Sequence, residues 1–150
     1  MAGWGLIEAD AGTLRALGFG CLRPAAKLAR PAALAALAAQ LDEVLAAHPP
    51  HLVAVETPFA ARFPRAGLAL AEARGALLAV LGRWGGPVVE LEPARVKASV
   101  VGSGRAEKEQ VAYVVRLELG LAELPPGDAA DALAIAMCAA RALTFEAARC

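Results

Sequence analysis

The sequence predicts an α/β chain, short strands mixed with longer helices, on three observations. Apolar residues recur at helical spacing over several stretches. Other apolar runs of four to eight residues are too short for helices and read as strands. Gly and Pro punctuate the boundaries between the two kinds of segment.

Trp4 to Ala9 and Leu14 to Cys21 are the first candidate strands, joined by Asp10-Ala-Gly12 as a hairpin turn. Pro31 suits a first helical position, and Leu34, Leu37, Leu41 and Leu45 form a stripe at spacings of three and four before His48-Pro-Pro50 stops the helix. Leu52-Val-Ala-Val-Glu56 reads as a buried strand ending in a carboxylate. Arg65 to Arg83 is helical, with leucines spread so widely that burial on more than one side is expected, and its Ala/Gly-rich surface is a candidate dimer face. Gly85-Gly86-Pro87 turns the chain into the strand Val88 to Leu91. Pro93 opens a short helix through Ser99, a Gly-Ser-Gly loop follows at 102 to 104, and a helix runs from Glu107 to about Leu119. An apolar helix from Asp128 to about Ala142 closes the pattern.

With no repeat and no linker, residues 1–150 read as a single domain. That length supports a core without disulfide or metal staples, and 58% hydrophobic content excludes disorder. Cys21, Cys138 and Cys150 are odd in number and lack metal-ligand spacing, which predicts free thiols in a reducing, cytoplasmic setting. The opening residues show no export signal, and the longest stretch without a charged residue, Val44 to Val55, is too short to span a membrane.

Fifteen basic groups balance fifteen acidic ones, but unevenly along the chain. Residues 58–108 hold eight basic and four acidic groups, while residues 109–150 hold three basic and six acidic. Neutrality therefore does not exclude nucleic acid as a partner.

Three carboxylates stand out: Glu56 at a strand end, and Asp128 and Asp131 three apart at a helix start. Residues three apart share a helix face, and carboxylates gathered in one place repel unless a cation joins them. Hard oxygen donors with open water positions suit Mg²⁺ or Mn²⁺, which activate water for phosphodiester hydrolysis. Helix capping by Asp128 and a dipole contact from Asp131 explain the same spacing without a metal. Glu56 could likewise end its strand in solvent.

The sequence around these residues resembles the RuvC family of Holliday-junction resolvases. The matching stretches are Val53-Ala-Val-Glu56-Thr-Pro-Phe59, Glu72-Ala-Arg-Gly75, Pro93 through Gln110-Val111, and Asp128-Ala-Ala-Asp131-Ala, in order and correctly spaced. The resemblance implies a ribonuclease H-like fold, a five-stranded mixed sheet flanked by helices, in a Mg²⁺-dependent homodimer that nicks four-way junctions and works with a branch-migration motor. It also implies metal-binding and catalytic roles for Glu56, Asp128 and Asp131, and DNA contacts from Phe59, Lys97 and Lys108. Arg105, beside Lys108, is a further phosphate-binding candidate. Phe59 would stack on an unpaired base.

The family's opening strand, which ends in Gly-Ile-Asp-Pro-Gly and carries the first metal-binding aspartate, has no counterpart after Met1-Ala-Gly-Trp-Gly. The expectation is a sheet lacking its first strand, and a chain that is inactive or nearly so. Two other readings stay open: a dimer that binds junctions without cutting them, and a ribonuclease H-like nuclease for another substrate.

Overall fold

The computed structural model describes residues 1–57 and 64–147. The described elements are β1 (Ala2–Asp10), β2 (Thr13–Leu22), α1 (Arg30–Ala47), β3 (Val53–Glu56), α2 (Pro64–Trp84), β4 (Val88–Leu91), α3 (Pro93–Val101), α4 (Lys108–Glu118) and α5 (Gly127–Ala147). They divide between two compact units.

The first unit comprises Met1, Leu22–Val53 and Pro58–Val88 and is built on α1 and α2. Pro31 occupies the first turn of α1, where its missing N–H costs no helical bond. Leu37 is the buried member of the predicted stripe, and Val80 and Leu81 are buried on α2. The Arg83 guanidinium bonds Asp42 at 2.7 Å, and Arg30 pairs with Glu72. Gln40 grips the backbone after β2, accepting from the Arg23 N–H at 2.8 Å and donating to its carbonyl at 3.2 Å. Burial of α2 on several sides is not what the structure shows. Leu68, Ala71, Gly75, Ala79 and Gly82 follow one another at helical spacing and are all exposed.

The second unit comprises Ala2–Cys21, Ala54–Thr57 and Val89–Cys150. Ala11 and Gly12 both have positive φ, 47° and 84°, the conformation a two-residue hairpin turn requires. Arg15 and Glu8 pair across the hairpin at 2.7 Å. The β3–β4 ladder is parallel: the Val53 N–H donates to Pro87, and the Thr57 N–H donates to Leu91, with the same offset.

The described strands form two separate two-stranded sheets, β1–β2 and β3–β4, where the resemblance implied one five-stranded sheet. No described strand joins the two ladders.

The core of the second unit is α5, with Ala129, Ala130, Leu133, Ala134, Met137 and Cys138 buried against neighbours that include Val96, Val100, Val111 and Val115. Alanine along α5 lets backbones approach closely, and β1 exploits this. A Cβ on Gly3 would lie 1.8 Å from the Asp128 carbonyl oxygen, and one on Gly5 would lie 2.8 Å from the Leu133 side chain. Only glycine fits at Gly3, because the obstacle is backbone.

Helix ends follow local chemistry. Gly102, at φ 83°, closes α3 in the left-handed conformation, its N–H donating to Ala98. Glu107 and Gln110 form a reciprocal capping box at the start of α4. Helix α5 continues to Ala147, past the expected end near Ala142, because Leu143-Thr-Phe-Glu-Ala147 contains no Gly or Pro to stop it. Arg141 on α5 bonds the Ser99 carbonyl and the Glu118 carboxylate, tying α5 to the last turn of α3 and the end of α4.

Gly3→Ala is expected to cost about 3 kcal/mol of unfolding free energy, since a backbone carbonyl cannot yield as a side chain can. Gly127→Ala, which meets nothing within 4 Å, should change it by less than about 1 kcal/mol. Urea unfolding of the two variants measures the contrast.

Candidate active site

Three elements of the second unit deliver the charged residues of the site. β3 ends at Glu56 because Thr57 leaves the strand with its N–H still bound to Leu91 and its hydroxyl directed at the same carbonyl. Helix α5 begins at Gly127, one residue before the expected start, so Asp128 lies inside the first turn and is not its cap. Asp131 follows three residues on, half-buried. Lys108 is the first residue of α4, fixed there by the capping box behind it.

The Lys108 ammonium donates to the Asp131 carboxylate at 3.0 Å. That bond, and the Asp131 charge, raise the affinity of Lys108 for its proton against a small opposing cost of desolvation. Asp128 and Glu56 add to the effect through their charges. Glu56 is exposed by overall surface, but partial loss of hydration at its carboxyl raises its pKa, and the Asp131 charge raises it further. Lys108 and Lys97 act in the opposite sense.

Glu56, Asp128, Asp131, Lys97 and Lys108 thus belong to one electrostatic cluster. They come from β3, α5, α3 and α4, spread over 76 residues of sequence. Arg105 sits exposed on the loop before α4, its N–H bonded to the Ser103 hydroxyl at 3.3 Å. The loop is tight at Gly104, where a Cβ would come 3.1 Å from the Ala94 carbonyl. Phe59 lies outside the described residues. The ion pair between Lys108 and Asp131 was not anticipated from sequence, since 23 residues separate them and no local periodicity links them.

A scan of family models matches residues 1–139 to the crossover junction endodeoxyribonuclease RuvC. The chain belongs to the RuvC family. A RuvC from Heliobacterium modesticaldum is 42% identical over 146 residues, 97% of this chain and 90% of that protein. One from Chlorobaculum parvum is 44% identical over 137 residues, 91% of this chain and 73% of that protein. The Thermus thermophilus RuvC structure superposes with a TM-score of 0.81 at 34% identity, covering 95% of this chain and 89% of that one. T. thermophilus RuvC in complex with a Holliday junction substrate gives a TM-score of 0.81 at 31% identity, covering 93% and 87%. The fold is the ribonuclease H-like fold of RuvC, and the chain is a RuvC-type endonuclease.

RuvC nucleases are metal-dependent. Among the described residues, no three His, Cys, Asp or Glu side chains converge closely enough to hold a metal ion on their own. Glu56 and Asp131 nevertheless feel each other's charge, and a small hard cation takes one or two carboxylates with the rest of its shell from water and phosphate. The donor set fits such an open site. No described helix is long and apolar enough to cross a membrane.

The raised pKa of Glu56 fixes the sign of a pH effect. The folded chain holds this proton more tightly than the unfolded chain, so the Glu56 contribution to stability is present below the ordinary value of 4.5 and is lost as pH rises through the raised value. Glu56→Gln should remove that fall, raising the metal-free thermal midpoint at neutral pH. Asp131→Asn should change stability by less than about 1 kcal/mol, because the Lys108 partner is largely exposed. Thermal melts between pH 4 and pH 7 read both outcomes.

Proposed function

We propose that this chain resolves four-way DNA junctions, with Glu56 and Asp131, joined by Asp128, as the metal-binding catalytic carboxylates. The observation that carries the proposal is the charge coupling of Glu56 from β3 with Asp131 from α5, beside Lys97 and the Asp131-bound Lys108. Family membership and the likeness to a RuvC bound to a Holliday junction substrate support it.

Lys97, Arg105 and Lys108 hold phosphates of the crossover strands, and their contacts weaken as salt rises. Phe59 stacks on a base left unpaired at the crossover. Glu56 and Asp131 are the donors for Mg²⁺, with Mn²⁺ as a substitute. When bound, that ion supplies an activated water and neutralises charge developing on the phosphate. Glu56 and Asp131 orient the attacking side of the site, and the lysines fix the phosphorus in line with it. The water oxygen bonds to phosphorus as the bond from phosphorus to the 3′ bridging oxygen breaks, and that oxygen takes up a proton, leaving a 5′-phosphate and a 3′-hydroxyl that a ligase can seal.

A four-way junction presents paired equivalent strands, so the working unit is a homodimer. The exposed stripe Leu68, Ala71, Gly75, Ala79 and Gly82 on α2 is its contact face, since small residues allow two helices close approach. A branch-migration motor is the partner machine. Free Cys21 and Cys138 suit a cytoplasmic setting.

A second reading, a dimer that binds junctions without cutting, is favoured by the absence of a three-carboxylate cluster among the described residues. Junction cleavage with Mg²⁺ separates the two. Under the first reading, Glu56→Gln and Asp131→Asn each lower the cleavage rate by about 100-fold or more while junction affinity stays within about threefold. Under the second, Mg²⁺ leaves bound junctions intact in every case. Lys97→Gln with Arg105→Gln should flatten the slope of log affinity against log salt by about 2. Gly75→Leu should sediment as a monomer.

A further inference from the structure

We infer that Lys108 is the resident counter-ion of the Glu56 and Asp131 carboxylates, and that its bond to Asp131 and a divalent cation exclude one another. The inference rests on the reading of Glu56 and Asp131 as metal-binding carboxylates, and it assigns Lys108 a task that precedes any contact with DNA.

Geometry carries it. The Lys108 Nζ lies 3.0 Å from Asp131 Oδ2, a charge-assisted bond that occupies a carboxylate oxygen a divalent cation would compete for. A Mg²⁺-sized ion takes a carboxylate oxygen at about 2.0–2.1 Å, so an ion on the same carboxylate would have to share its single negative charge with the ammonium at short range. Like charges at that separation repel strongly, so one must leave. Only the side chain needs to move. The backbone of Lys108 is held at the start of α4 by the Glu107–Gln110 capping box, whereas its side chain is 76% exposed on a flexible four-carbon stem.

Departure has a natural destination. In the absence of nucleic acid, the carboxylates are the anions within reach of Lys108: Asp131 by direct bond, Asp128 and Glu56 by charge. A DNA phosphate offers a competing anion. Once the ammonium turns to it, Asp131 is left with both oxygens available. The free protein is therefore poor at loading a divalent ion, and substrate opens the site. Lys97 provides the internal contrast, because it acts on Glu56 through charge alone.

The test is Mn²⁺ binding to the full chain without DNA, followed by electron paramagnetic resonance of the free ion. Lys108→Gln should raise Mn²⁺ affinity about tenfold. Lys108→Arg should stay near the unsubstituted protein, and Lys97→Gln should shift affinity by less than about threefold. Unchanged or weaker binding in Lys108→Gln, or an equal gain in Lys97→Gln, overturns the inference. Adding Glu56→Gln or Asp131→Asn to Lys108→Gln separates the two levels. If Mn²⁺ binding survives those substitutions, or Lys108→Gln binds no Mn²⁺ at all, the metal-site reading fails. If binding needs both carboxylates but ignores Lys108, only the counter-ion inference fails. Far-UV circular dichroism confirms that each variant is folded.

Discussion

The close approach of β1 to the start of α5 is the constraint on which the site depends. Gly3 meets the Asp128 carbonyl, and Gly5 meets Leu133, at distances that exclude any side chain at Gly3. This contact uses backbone against backbone, so it locates the first turn of α5 more rigidly than side-chain packing would. Asp128 stands on that turn and Asp131 directly follows it on the next. Alanine along the rest of α5 continues the logic, keeping helices α3 and α4 near enough for Lys97 and Lys108 to share the field of the carboxylates.

Electrostatics then decides what the arrangement does. Glu56 holds its proton more tightly than an ordinary glutamate, first because its carboxyl is partly stripped of water and then because the Asp131 charge lies near it. Two lysines oppose this, one also bonded directly to Asp131 and one acting by charge alone. In such a cluster the two lysines partly balance the carboxylates that surround Lys108. The even total of charges along the sequence has its local counterpart here, with basic groups from α3 and α4 facing acidic groups from β3 and α5.

Much of this was legible in the sequence where a local rule applied. The turn at Ala11–Gly12, the proline at the start of α1, the glycine closing α3 and the strand ending at Glu56 all follow from backbone chemistry that a few residues dictate. Non-local features were not legible that way. Nothing near Asp131 announces Lys108, and nothing near Arg141 announces Ser99 or Glu118. The short apolar run that predicts β1 does not reveal that Gly3, just before it, is needed by a helix more than a hundred residues later. The Ala/Gly-rich surface of α2 was legible as a candidate dimer face, but not which of its residues stay bare, since that depends on packing with α1. The family resemblance supplied the pairing of Glu56 with Asp131, which spacing alone left open to capping and solvent roles.

The central claim is that Glu56 and Asp131, from distant parts of the chain, share one electrostatic site. Carbon-13 NMR titration of the Glu56 side-chain carboxyl, in the metal-free protein and in Asp131→Asn, tests it most directly. The account predicts that Glu56 titrates above the ordinary glutamate value and that Asp131→Asn lowers its pKa. A Glu56 that titrates at the ordinary value, unmoved by the loss of the Asp131 charge, would contradict it.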